Sequence, residues 1–77
     1  MQRRPVESDA IRSVGYDPKA WTLEVEFIDG DVYRYHPVPR GFYAGLLRAA
    51  SIGRYLNTRI KPYYDAEKVE PAQEWRV

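Results

Sequence analysis

No cysteine occurs in these 77 residues, which excludes disulfide staples and thiolate metal sites. That absence fits a reducing compartment, and a cytoplasmic protein is the expectation. Histidine is nearly missing as well. His36 stands alone, so no histidine–cysteine zinc site can be assembled. Asp17, Asp29 and Asp31 sit at turn positions that favour aspartate for its own sake, and no metal is expected. Long apolar runs are lacking too. Nothing approaches the roughly 18 residues of a membrane span, and "MQRRPVESD" has no apolar stretch behind its arginines as a secretory signal would. No membrane partner is expected.

The last absence is local. From Val32 to Tyr64 the chain carries Arg34, Arg40, Arg48, Arg54, Arg59 and Lys61 but no carboxylate, although 30 % of all residues are charged. The acidic residues lie before and after this block. Such segregation hints at a basic face and a polyanionic partner. The alternative is that folding brings the acidic ends back over the block. Catalytic groupings are also missing. Ser51 has no evident base beside it, "SIGR" is too short for a phosphate loop, and no acid–base pair is recognisable. A non-catalytic protein without a cofactor is expected.

What the chain does have is rings: two Trp, seven Tyr and two Phe. A single small domain hides only about 60 % of its unfolded surface, and large rings bury much area per residue. In "WTLEVEFIDGDVYRY" the residues Trp21, Leu23, Val25 and Phe27 alternate with polar ones, the period of a strand with one wet face. Asp29-Gly30 marks a turn, and Val32 to His36 return. A three-residue loop, Ile28-Asp29-Gly30, with Gly30 left-handed, pairs Phe27 with Asp31, Val25 with Tyr33, Leu23 with Tyr35 and Glu24 with Arg34. This register sets Tyr33 and Tyr35 on the apolar side with Trp21 and Val25, as core residues. The competing reading makes the two tyrosines an open stacking platform for bases.

Upstream, "AIRSVGYD" reads as a first strand, with Gly15 the position where a bulge would reconcile Ile11 with Val14. Downstream, Pro39 begins a helix carrying Phe42 and Leu46. Gly41 and Gly45, four apart, are placed for close backbone approach. Ser51 caps a second helix with Ile52, Leu56 and Ile60 inward, and Pro62 limits it. The predicted fold is α+β: a three-stranded antiparallel meander followed by two short helices on one face. Residues 1–7 are expected to be a flexible N-terminus, 8–64 the domain, and 65–77 a loose polar tail in which Trp75 is the one docking candidate.

Three stretches, "SVGYD", "LEVEFIDGDVYRYHPVP" and "ASIGRYLNTRIKPYY", together resemble the KTSC domain, a short module found alone in bacterial proteins and at the C-terminus of some lysyl-tRNA synthetases. The marks are Tyr33-x-Tyr35, Val38-Pro39, the Ala50-Ser51-x-Gly53 turn and Ile60-Lys61. The resemblance implies a small α+β module with RNA binding as the suggested role. It supplies no catalytic residues.

The residues themselves offer one candidate surface. Arg54, Thr58 and Lys61 fall at i, i+4 and i+7 of the second helix, opposite Ile52, Leu56 and Ile60. Arg59 lies beside that line, Arg40 and Arg48 extend it, Asn57 adds a neutral donor and acceptor, and Ser51 marks a helix N-terminus nearby. RNA or single-stranded DNA is the partner this surface suggests. The bland alternative is a solvated helix face. A different class of function, a protein-interaction or homodimerisation module, is suggested by the arginines and tyrosines and by an open sheet edge.

Overall fold

The tight turn organises the sheet. In the computed structural model, which describes residues 2–69, the Phe27 N–H donates to the Asp31 carbonyl at 2.8 Å and Gly30 adopts φ 99°. A left-handed φ suits glycine, which has no Cβ to clash. The strands β3 (Thr22–Phe27) and β4 (Val32–His36) then pair Val25 with Tyr33, Glu24 with Arg34 and Leu23 with Tyr35. This is the register that side-chain parity predicts.

The strand before them, β2 (Ile11–Asp17), pairs antiparallel with β3. Its irregularity falls between Ile11 and Ser13, so the extra residue is Arg12 rather than Gly15. One bulged residue brings Ile11 and Val14, opposite in parity, to the same face. Arg12 is also turned to donate to the Ile28 carbonyl at 3.0 Å. Gly15 has a different task. A Cβ there would lie 2.6 Å from the Gln2 carbonyl oxygen, so only glycine lets the N-terminal segment cross.

The sheet has five strands, not three. β1 (Arg4–Pro5) pairs with β2, and β5 (Asp65–Val69) pairs with β4, so spatial order follows chain order. Part of the expected flexible N-terminus and the first residues of the expected loose tail are thus ladder-bonded. The physical reason is the edge of β4, whose backbone groups need partners once the helices lead the chain back to it. The apolar signal that normally announces a strand is missing because four of the five β5 residues are exposed. Pro71 and Trp75 lie outside the described residues.

Between β4 and β5 run α1 (Arg40–Arg48), which follows Pro39, and α2 (Ile52–Tyr55), which continues into a π-helical turn over Leu56–Ile60. The Ser51 hydroxyl caps α2, accepting from the Arg54 N–H at 3.2 Å. Both helices cover one sheet face. Ile11, Val14, Leu23, Val25 and Tyr35 pack there against Val38, Leu46, Ile52, Leu56 and Ile60. Each fully buried aliphatic side chain of this size contributes about 1.5–3 kcal/mol. Of the paired glycines, Gly45 is the one that matters: a Cβ there would collide with the Tyr55 hydroxyl, while one at Gly41 meets nothing.

Trp21, expected in the core, is 47 % exposed. The alternation does not extend back to it, because the chain is still turning there. The Asp17 carboxylate accepts from the Lys19 N–H at 3.0 Å, and Trp21 takes φ 53°, an uncommon value for a residue with a Cβ. Its carbonyl accepts from the Val38 N–H at 2.7 Å. The backbone of Trp21 is fixed, and its ring is turned away from the core.

Candidate nucleic-acid interface

Charge is sorted between the sheet and the helices. On the face away from the helices, Glu24 is 4 % exposed. It accepts from Arg34 at 2.8 Å and from Arg3, and Ser13 donates to Glu26 at 2.8 Å. Burial alone would raise the Glu24 pKa. The hydrogen bonds and charges of Arg34 and Arg3 outweigh it and hold the group below its ordinary value. At the next strand His36 stands 3.9 Å from Glu67, and Lys68 stands 3.7 Å from Asp31. For Arg34 and His36, then, folding does return carboxylates to the block that lacks them.

The helices are treated differently. Arg40, Arg48, Arg54, Arg59 and Lys61 are all exposed. Among the described residues none of them is in an ion pair.

Three of the predicted surface residues converge. Arg54, Thr58 and Arg59 line a shallow groove of about 270 Å³ with Tyr55 and the Ala49-Ala50-Ser51 turn. The Arg59 guanidinium lies over the Tyr55 ring, 5.8 Å from its centroid. Tyr55, which the charge pattern did not single out, is seated against Gly45; its i, i+4 spacing to Arg59 was the available signal. Thr58 donates its hydroxyl to the Arg54 carbonyl at 2.8 Å. The Ser51 cap already engages the Arg54 amide, so that N–H is not offered to an anion. Asn57 is exposed but does not line this groove.

Lys61 does not belong to the line. The Lys61 N–H reaches five residues back, to the Leu56 carbonyl at 2.8 Å. That wider turn breaks the i, i+4, i+7 spacing on which the line depended. Its ammonium lies 5.2 Å from the centre of the Phe27 ring instead. There it joins Tyr33, Tyr35 and Tyr64 around a recess of about 530 Å³, rimmed by Asp29, Asp31 and Asp65.

The tyrosine pair is split by burial. Tyr35 is 3 % exposed and offers no open ring face to a stacking base. Tyr33 is half-buried and meets Phe27 edge-on at 5.7 Å. Both face the helix side of the sheet, so a two-base platform is not formed.

Comparisons with known proteins agree on one family. The KTSC domain model matches residues 7–64. An uncharacterized protein of Stutzerimonas stutzeri is 45 % identical over 64 residues, 83 % of this chain and 90 % of the relative. A lysine–tRNA ligase of Nostoc punctiforme is 35 % identical over 63 residues, 82 % of this chain but 11 % of the ligase. The crystal structure of a KTSC domain protein from Yersinia pestis superposes with a TM-score of 0.84 at 37 % identity, covering 90 % of this chain and 97 % of that one.

Proposed function

This chain belongs to the KTSC domain family, and from that premise we propose that it is a non-catalytic module binding RNA or single-stranded DNA weakly, through phosphates, along its helices. One observation carries the reading. Arg40, Arg48, Arg54 and Arg59 are exposed without a carboxylate partner among the described residues, while the acidic groups gather on and around the sheet. Unpaired arginines suit phosphate because the planar fork matches its geometry and loses little hydration. The Tyr55 ring beside Arg59 adds a surface on which a base can stack, a contact indifferent to sequence. The ligases that carry a similar segment are named for joining lysine to tRNA, a setting in which such a surface has use.

The rival reading, a module that pairs with another chain through its sheet edge, has less support. At one described edge β1 has two residues and one is a proline; at the other, β5 carries Asp65, Glu67 and Lys68. Short, charged or proline-bearing edges resist pairing.

The test is a salt titration with a fluorescent oligouridylate. If about four phosphates are neutralised, log K against log salt falls with a slope near −2.8, so affinity drops roughly fifty-fold between about 50 and 200 mM salt. Exchanging Arg54 and Arg59 for glutamate should abolish binding with the fold intact, and Lys19→Glu, in the distant turn, should change little. Absence of binding by the parent at ~20 mM salt removes the proposal. A dimer that persists in high salt would favour the interaction module instead.

A further inference from the structure

The recess on the other side of Lys61 is not used by the phosphate reading, and its chemistry has the opposite sign. Its lining is largely aromatic: Phe27, Tyr33, Tyr35 and Tyr64. Its rim carries Asp29, Asp31 and Asp65 against the single cation Lys61. Asp31 shares Lys68 at 3.7 Å across exposed surface, while Asp29 and Asp65 have no ion-pair partner among the described residues. An excess of carboxylates disfavours a nucleotide phosphate here.

Two further observations say what the recess takes. The Tyr35 side chain lines it at 3 % exposure, yet its hydroxyl makes no hydrogen bond with any described residue. Buried phenols ordinarily find a partner; even the half-buried Tyr16 donates its hydroxyl to the Val38 carbonyl at 2.5 Å. The second observation is Lys61 itself, whose ammonium rests over the Phe27 ring at 5.2 Å. The recess already holds an alkylammonium by a cation–π contact. The three aspartates are not drawn into a group that could hold a metal ion, so a compact divalent cation does not fit.

We propose that this recess binds a small aliphatic amine. Its ammonium lies on the Phe27 and Tyr33 rings, the Tyr35 hydroxyl accepts one of its protons, and Asp29 and Asp65 supply the counter-charge. Lys61 is then a tethered competitor occupying the site in the free protein. At about 530 Å³ the recess falls within the range of small-molecule sites, roughly 300–1,000 Å³. The anion-binding groove and the amine recess are separate, so either proposal can fail alone.

The experiment is an NMR titration of the full chain with cadaverine, run in parallel with 1-pentanol and valerate, at ~150 mM salt to suppress loose ion pairing. Cadaverine should shift the amides of residues 27–35 and 61–66, and the two controls should not. Lys61→Met, which removes the competitor but keeps the stem's bulk, should tighten cadaverine several-fold. Tyr35→Phe removes only the hydroxyl and should weaken it about tenfold, the loss of one charge-assisted hydrogen bond. Thermal melts confirm that each variant folds. Lack of a cadaverine response in both the parent and Lys61→Met overturns the proposal, as does an equal response to pentanol. Weaker cadaverine binding in Lys61→Met also overturns it, because removing a competing ammonium cannot weaken the amine it competes with.

Discussion

A hydroxyl is worth what it touches. Tyr16 donates to the Val38 carbonyl and stacks on Tyr43 with centroids 5.1 Å apart, so Tyr16→Phe should lose about 1 kcal/mol in denaturant unfolding. Tyr35→Phe removes an unpartnered group and should leave stability unchanged or raised. Tyr35→Ala is a different matter, costing about 3–5 kcal/mol as a large core truncation, whereas half-buried Tyr33→Ala should cost less. Glu24 makes the sharpest pH case. Its folded pKa is lowered, so its contribution is present in full above the ordinary value of 4.5 and drains as pH falls through the folded value. Glu24→Gln should therefore flatten the acid limb of the stability curve. At neutral pH it should cost about 1–3 kcal/mol, because Arg3 and Arg34 lose a charged acceptor but stay partly solvated. Parallel melts of parent and variant across the acid range would check both statements.

At the level of elements, local signals were readable wherever two requirements coincided. Gly30, Asp29 and the alternation of β3 all demand one hairpin register, and Ser51 followed by Ile52 and Leu56 demands one helix start. Trp21 was misplaced because alternation in letters runs on into a turn where the backbone no longer alternates. Lys61 was misplaced because the 3.6-residue period fails in a π turn, which the letters "LNTRI" do not announce. β1 and β5 were illegible since their pairing is imposed by neighbours rather than by their own apolar faces. The chain stopped after Tyr64 should accordingly melt several degrees lower, having lost the partner of β4. The glycine pair gives a cleaner contrast. Gly41→Ala should stabilise α1 by up to about 1 kcal/mol, the propensity difference. Gly45→Ala must push Tyr55 off the helix and should destabilise despite the same gain, disturbing the Arg54–Arg59 groove as it does so.

For the molecule as a whole, the charge segregation was legible as a count and illegible as a surface. The sequence showed a block without carboxylates; only the fold divides it, returning acid to Arg34 and His36 while leaving the helices positive. The strand order has a further consequence, for the route by which the chain folds. Every pairing from β1 to β4 joins sequence neighbours through turns, and such local contacts form early and fast. The β4–β5 pairing alone must wait for 28 intervening residues, between His36 and Asp65, to coil into helices and bring the chain back. Closing that long loop costs entropy before the pairing returns anything. β5 should therefore dock after the rate-limiting step, and a proline placed at Ala66 should speed unfolding while leaving the refolding rate almost untouched.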